Sequence, residues 1–309
     1  MTGQHVLAID LGGTKTALAT AAPDGTVLHE ESIPTRAAAG ADQIIRRMAE
    51  CGRELTRRTA AEGHGPLAAV AAVSPGIVQD DRILFAPNNP GWDRLALPEL
   101  LRRTFGVQRV AADNDVRAAA LAEARWGALA GVPYGIYLNL GTGIAAAPVI
   151  DGRVVRGAHG AGGELGYQLL GADRLVGAAA GRAPLEEYVS GIGLEARGSE
   201  LLGRTVSTAE VFALAAEGRQ RQPAVAEFLD EALDTLGVHL ANLACVFDPE
   251  VVAVGGGMAA KSGGYILPRL ARVLDAAVPF PPKLVPAAFD ARASLAGATA
   301  LALDAAASA

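Results

Sequence analysis

Ile9-Asp10-Leu11-Gly12-Gly13-Thr14-Lys15-Thr16 follows the apolar run Val6-Leu7-Ala8 and precedes a second one, Ala17-Leu18-Ala19. Apolar residues, then a carboxylate, two glycines and hydroxyls, then apolar residues again spell strand, tight turn and strand. Glycine lets a backbone approach a ligand closely, and successive N–H groups in such a turn form a concavity for an anion. Asp10 sits awkwardly beside an anion unless a divalent cation, or a water ordered on one, lies between them. An ordinary hairpin with Asp and Gly at its tip gives the same eight residues, so the octapeptide alone leaves both readings open.

The theme returns in the second half. Tyr134–Leu140 reads as a strand, Gly141-Thr142-Gly143 as a turn, and Ile144–Ile150 as the returning strand, with Asp151-Gly152 as the next hairpin turn. Two strand–Gly/Thr–strand elements predict two related halves, each with one phosphate-contacting hairpin. Gly141 to Ala146 also fits the relaxed dinucleotide pattern GxGxxA, but that pattern requires a helix after the glycines. Here Pro148-Val149-Ile150-Asp151-Gly152 follows, which is strand and turn. Gly255 to Ser262 approaches a P-loop, with Ala260 where the second glycine belongs. It reads instead as the strand-to-helix turn of an α/β unit, after the buried strand Val251–Val254.

The 309 residues are 50% hydrophobic, enough for one large domain or two ordinary ones. Net charge is −6, and no basic block suggests nucleic acid or an anionic membrane. Cys51 and Cys245 form no CxxC, so neither a disulfide framework nor a cysteine-rich zinc site is indicated. No signal peptide or membrane-length apolar run is read, and a cytoplasmic protein is expected.

Between the hairpins, 35–62 turns helical, with Ile44, Ile45, Met48 and Leu55 on one face. Leu67–Val73 is apolar without alternation, the pattern of a parallel strand buried on both sides, and it closes in Ser74-Pro75-Gly76. A hairpin at 77–85 and the polar loop Pro87-Asn88-Asn89-Pro90-Gly91-Trp92 follow. A strand over 107–111 then runs into Asp113-Asn114-Asp115 and a small-faced helix to Trp126. Asp115 suits a helix N-cap, worth about 1 kcal/mol. It also suits a carboxylate at the C-terminal edge of a sheet, where ligands of open α/β sheets bind. Residues 157–193 read as irregular and glycine-rich, with Glu164 and Glu186 embedded; helices are expected at 195–202, 207–217, 223–245, 265–276 and 293–308.

Taken in order, Asp10-Leu11-Gly12-Gly13-Thr14-Lys15, Ser74-Pro75-Gly76, Ala86-Pro87-Asn88 with Gly91-Trp92, Asn114-Asp115, Leu140-Gly141-Thr142-Gly143-Ile144, Gly163-Glu164-Leu165-Gly166 and Val254-Gly255-Gly256-Gly257 resemble the ROK family of bacterial sugar kinases, close to its glucokinases. The resemblance covers essentially the whole chain. The chain starts too near Asp10 for the helix-turn-helix of the family's repressors. The resemblance implies an actin-like, ribonuclease-H-like α/β fold with two domains around a cleft. The smaller would span 1–115 with a C-terminal helix at 293–309, the larger 116–292. It implies Asp115 as the base for the sugar 6-hydroxyl. Gly76, Asn88, Asn114, Glu164 and Glu186 would line the sugar pocket. Gly12, Gly13, Thr14 and Lys15, with Thr142 and Gly143, would hold ATP phosphates; Asp10 would orient Mg²⁺ through water; Gly256 and Gly257 would lie against the adenosine.

Departures from the family pattern are as informative. In most relatives a histidine and three cysteines bind a structural zinc, and here those positions hold Tyr167, Gly177, Ala179 and Pro184. None offers a thiolate or imidazole, so no zinc is expected. Tyr167 stands where that histidine would touch the sugar, Arg117 replaces a usual asparagine, and Ala145-Ala146 replace glycines. The expected activity is an ATP-dependent hexose 6-kinase acting on glucose or a glucose-like sugar. Alternatives are an amino-sugar kinase (kanosamine or an N-acylhexosamine), a non-catalytic sugar-binding regulator, and a polyphosphate donor in place of ATP. Partners are expected to be the sugar, ATP and a second copy of the chain, as a homodimer or dimer of dimers.

Overall fold

A computed structural model describes residues 3–36, 38, 40–86, 91–172, 175–218 and 221–308. The chain divides into two compact units, one of 1–125 with 156–161 and 292–309, the other of 126–155 with 162–291.

In the first unit, β1 (His5–Leu11), β2 (Lys15–Ala21), β3 (Val27–Pro34), β4 (Leu67–Ser74) and β7 (Val110–Asn114) form one sheet in the order β3-β2-β1-β4-β7. β1, β2 and β3 are antiparallel neighbours, whereas β4 runs parallel to both β1 and β7. The remaining pair, β5 (Ile77–Val78) and β6 (Ile83–Leu84), is the short hairpin read at 77–85. Side-chain size sorts the two faces of the sheet. Leu7, Ile9 and Leu11 of β1 and Val70 and Ala72 of β4 join Ile44, Met48 and Leu55 of α1 (Ala41–Ala61) and Leu97 and Leu101 of α2 (Leu97–Phe105). Successive residues point to opposite faces, so Val6 and Ala8 of β1 and Ala69 and Ala71 of β4 present a small-residue surface on the other side. There α9 (Ala293–Ala307) packs through Leu295, Ala298 and Ala302.

The helix α3 (Asp115–Trp126) joins that layer through Ala118, so the first unit ends after Arg125 rather than at Asp115 as the motifs suggested. The contact is close: a Cβ on Gly297 would lie 1.9 Å from the Ala118 carbonyl oxygen. Backbone cannot give way as a side chain can. Gly297→Ala is therefore expected to cost about 2–3 kcal/mol, read as a lowered denaturation midpoint in urea.

The second unit repeats the topology. β8 (Tyr134–Leu140), β9 (Ile144–Ile150), β10 (Arg153–Val154), β11 (Val251–Gly255) and β12 (Lys283–Pro286) order as β10-β9-β8-β11-β12. Again three antiparallel strands are followed by two parallel ones. This is the internal relation that the two Gly/Thr turns predicted. Among the described residues this unit holds the α-helices α4 (Pro184–Val189), α5 (Gly191–Leu202), α6 (Thr208–Ala216), α7 (Pro223–Phe247) and α8 (Gly257–Ala277). Leu229, Leu233, Leu236 and Leu240 of α7 fill the core with Ile266, Leu270 and Leu274 of α8.

Two sequence expectations are corrected here. α8 begins at Gly257, directly after β11, not at 265; its first turns carry Gly263 and Gly264 and lack an apolar stripe. Glu186 lies in the first turn of α4, not in irregular chain, because Pro184 opens a short helix whose Leu185 and Val189 are fully buried.

Candidate active site

Asp10 is the one residue of β1 that is not fully buried; Val73 of parallel β4 stands beside it, and Val73 in turn pairs with Asp113 of β7. Asp10, Gly76, Asn114 and Asp115 thus gather at the carboxyl ends of three parallel strands, the edge where open α/β sheets bind ligands.

The start of α3 settles what Asp115 is not. Asn114 Oδ1 accepts the N–H groups of Val116 at 2.8 Å and Arg117 at 3.2 Å. Asn114 is therefore the N-cap, and Asp115, the first helical residue, is not needed for that role. Asp115 Oδ1 accepts the adjacent Val116 N–H, at 2.9 Å. Burial pushes its carboxyl above the ordinary range, offset in part by the Val116 amide and the Arg117 charge. Asp113 accepts from Arg117 Nε at 2.7 Å and faces Arg156 Nε at 3.5 Å. Arg117 is itself buried, so the usual asparagine has given way to a cation anchored beside Asp115.

Asn114 was expected to bond the sugar. Its amide Nδ2 donates to the Gly76 carbonyl at 2.9 Å and its oxygen caps α3, so its first task is to tie the Gly76 turn to the helix. Gly76 has φ +92°, and a Cβ there would lie 2.5 Å from the Leu84 carbonyl oxygen, so this turn admits only glycine. Asn88 lies outside the described residues.

The first hairpin tip is braced by Thr35, a buried residue that its sequence gave no reason to single out. Its hydroxyl donates to the Gly12 carbonyl at 2.6 Å, and its N–H donates to the Thr14 carbonyl at 2.8 Å. Gly13, Thr14 and Lys15 are exposed at the tip. Among the described residues, the Gly12, Gly13 and Thr14 amides donate to no protein acceptor, the condition for an anion-binding turn. Asp10 behind them has its carboxyl pushed up to about 7, first by burial and then by the Asp115 charge, with Lys15 pulling the other way. A desolvated carboxylate whose ionisation a second carboxylate opposes is the kind of hard oxygen donor that a magnesium ion with its waters relieves. The residues present fit that ion.

In the second unit, the tip Gly141-Thr142-Gly143 opens on a cavity of about 390 Å³ that Gly257, Glu195, Thr208 and Lys261 also line. Glu195 Oε1 accepts both the N–H and the hydroxyl of Thr208 at 3.0 Å, which fixes one carboxylate in the wall. Glu195 and Thr208 carried no motif and were read only as parts of helices, and Lys261 fell in the strand-to-helix turn after Val254 and was not singled out. The two glycines assigned to the nucleotide divide. Gly257 faces open space at the cavity, whereas Gly256, at φ +90°, packs against Leu140 and Asn139, where a Cβ would meet the Leu140 carbonyl oxygen at 2.5 Å.

Glu164, Tyr167 and Glu186 are brought together. Gly163 is pinned to β9, its carbonyl accepting the Ala146 N–H at 2.8 Å, and a 3-10 turn over Leu165–Tyr167 follows. The Tyr167 hydroxyl is pushed up to about 12 by burial and by the charges of Glu164 and Glu186, so it stays a neutral phenol. Glu186 Oε2, in contrast to its expected sugar role, accepts the Ile144 N–H at 2.9 Å.

Around the positions that lack zinc ligands, a 3-10 turn over Ala178–Ala180 is closed by Arg182, whose N–H donates to the Gly177 carbonyl at 3.2 Å. The Arg182 guanidinium forks onto Glu187. These hydrogen bonds and this ion pair tie the turn to the start of α4. Among the described residues, no group of three or more His, Cys, Asp or Glu could hold a metal ion. Elemental analysis of protein purified without chelator is expected to read under about 0.1 zinc per chain. About one zinc per chain would overturn this account of the loop.

Among known structures the chain is similar to a ROK hexokinase from Thermus thermophilus, at 33% identity and a TM-score of 0.81 over 97% of this chain and 98% of that one. It is similar also to a ROK glucokinase from Streptomyces griseus determined with glucose and AMPPNP, at 28% identity and a TM-score of 0.75 over 96% and 99%. An N-acetylgalactosamine kinase of Shewanella sp. (strain ANA-3) is 30% identical over 81% of this chain and 80% of its own. The fold is thus the actin-like ATPase fold, which the repeated five-stranded units anticipate. The sequence model of the ROK family matches from residue 6 to residue 305, and the chain belongs to the ROK family, among its sugar kinases.

Proposed function

We propose that the protein transfers the γ-phosphate of ATP to the 6-hydroxyl of glucose or a glucose-like hexose. The observation that carries this reading is the N-terminus of α3, where Asn114 does the capping and relieves the Asp115 carboxylate of that task. A desolvated carboxylate with raised proton affinity suits a base that takes the hydroxyl proton as the phosphoryl group arrives. Gly76 and Asn114, with Asn88, would orient the acceptor. The amides of Gly12, Gly13 and Thr14, with Lys15, and those of Thr142 and Gly143 would hold the donor phosphates, with Gly257 toward the nucleoside. Asp10 would hold the magnesium ion through water; when bound, that ion neutralises charge on the transferring phosphate.

An amino sugar is the second reading. Glu164 and Glu186 lie close enough to raise the Tyr167 pKa together, and an ammonium group among these carboxylates would gain charge-assisted hydrogen bonds. The N-acetylgalactosamine kinase relative points the same way.

The test is a phosphorylation panel with ATP and magnesium over glucose, mannose, kanosamine, glucosamine and N-acetylhexosamines, with products located by phosphorus NMR. Turnover with none of them would sink the kinase assignment and favour a binding regulator. Turnover with polyphosphate but not ATP would sink the donor assignment. Within this reading Glu164→Gln raises KM for the true sugar about ten-fold and leaves KM for ATP within about two-fold, since a charge-assisted bond to a sugar hydroxyl is weakened. Unchanged sugar KM would remove Glu164 from the pocket.

A further inference from the structure

The tip Gly141-Thr142-Gly143 makes one hydrogen bond of its own and is otherwise held by one segment, α4 and the start of α5, which takes up two of its carbonyls and its flanking N–H. Glu186 Oε2 accepts the N–H of Ile144, the first residue of β9, at 2.9 Å. Gly191 N–H donates to the Gly141 carbonyl at 2.9 Å, and Ile192 N–H to the Thr142 carbonyl at 3.4 Å. Within the tip, Gly141 N–H donates to the Gly143 carbonyl at 3.0 Å. The Thr142 and Gly143 amides are left without a protein acceptor among the described residues.

Glu186 has the tightest fit of these partners. A Cβ on Gly143 would lie 2.5 Å from its Oε2, and one on Gly166 would lie 2.9 Å from its own Cβ. Both neighbours are glycines, and the carboxylate reaches the hairpin because neither carries a side chain. Its helix is also clamped from behind. The Arg197 guanidinium lies 3.6 Å from the Tyr188 ring centroid and 4.7 Å from that of Phe228, and it donates to the Tyr188 carbonyl at 2.8 Å. The Tyr188 hydroxyl donates to Glu231 of α7 at 2.6 Å. A side chain fixed this firmly on a backbone amide is built to shape the hairpin.

We propose that Glu186 is a positioning residue for the donor-phosphate hairpin: it pins the start of β9 so that the Thr142 and Gly143 amides stay aimed at the phosphate. The proposal rests on the reading of those amides as part of the phosphate site. It departs from the role that the family resemblance gives Glu186 at the sugar. An oxygen engaged with Ile144 is an acceptor of the backbone, and what it requires of residue 186 is a hydrogen-bond acceptor rather than a charge.

Glu186→Ala and Glu186→Gln separate the two roles, because the Gln carbonyl oxygen can still accept the Ile144 N–H. Three quantities are measured on the full chain: Kd for magnesium–AMPPNP, Kd for the sugar found in the panel, and amide hydrogen exchange at Ile144. The expected result for Ala is an AMPPNP Kd raised about ten-fold or more, sugar Kd within about three-fold, and lost protection at Ile144. Gln should restore AMPPNP binding to within about three-fold of wild type, with Ile144 protected. A sugar Kd raised about ten-fold in both variants, with AMPPNP binding and Ile144 exchange unchanged, would return Glu186 to the sugar pocket. Should Ala fail to fold, the Gln variant decides alone: loss of AMPPNP affinity with Ile144 still protected would overturn the proposal. Failure of the wild type to bind AMPPNP is a different outcome; it would sink the phosphate-site reading on which the proposal stands.

Discussion

Asp115→Asn is expected to lower kcat by about 10²–10⁴ while sugar binding stays near wild type, because an amide keeps the shape and a hydrogen bond but accepts no proton. The fold should not notice. Asn114 supplies the cap of α3, and an asparagine oxygen at position 115 can still accept the Val116 N–H that Asp115 Oδ1 takes at 2.9 Å. Melting temperature should therefore stay within a degree or two of wild type, and sugar titration should give an unchanged stoichiometry. Activity of the wild type should fall on the acid side with a midpoint above the ordinary carboxylate range, since burial raises the proton affinity of Asp115 and a base must be unprotonated to act. A variant that keeps more than about a tenth of kcat would mean that another group takes the proton.

Asp10→Asn is expected to remove activity by about 10² or more and, in the same protein, to raise thermal stability above neutral pH. Burial and the Asp115 charge push the Asp10 carboxyl up to about 7, whereas the unfolded chain ionises it near 3.8. Between those values the folded state carries more protons than the unfolded state. Stability therefore falls as pH rises from about 4 to about 7, and the full cost of the buried charge is present above that. Asparagine carries no charge and escapes the cost. A difference of about three pKa units is at most about 4 kcal/mol, and relaxation around the site leaves an expected gain of about 1–3 kcal/mol at pH 8. The two proteins should converge toward pH 4. Magnesium with nucleotide should stabilise the wild type and have much less effect on the variant. A lower melting temperature for Asp10→Asn at pH 8 in the absence of ligands would show that the carboxylate is a structural partner rather than a strained functional group.

Several features were legible from residues close in sequence. The two hairpins were, because turn chemistry is local: glycines and hydroxyls between apolar runs leave the backbone few other courses. β4 was, because Leu67–Val73 has no polar residue to turn toward water, and the sheet does place it between two parallel neighbours. The internal repeat was legible for the same reason, from two similar turns. The N-terminal half of α8 was not, since Met258 to Gly264 shows no apolar stripe and Ser262-Gly263-Gly264 interrupts the helix-forming Met258-Ala259-Ala260-Lys261; its helix is set by the course of the chain off β11. The extent of the first unit was misjudged because the helix after Asp115 is small-faced, and its packing through Ala118 against that unit's small-residue layer and Gly297 assigns it.

The sequence by itself determined which residues are candidates for chemistry: the two glycine–threonine tips, Asp10 and Asp115 stand out from their neighbours, and the order of motifs shared with the ROK family adds Glu164 and gives each its expected role. The tertiary structure alone decided what each is free to do. The cap of α3 fell to Asn114 because the helix starts one residue earlier than a cap at Asp115 would allow, a difference set by hydrogen bonds rather than by residue type. Thr35 closes the first tip onto Gly12, 23 residues away, and Glu186 reaches Ile144 across 42 residues. Hydrogen bonds made over such separations leave no periodicity and no motif in the chain, because their partners become neighbours only when the sheets form.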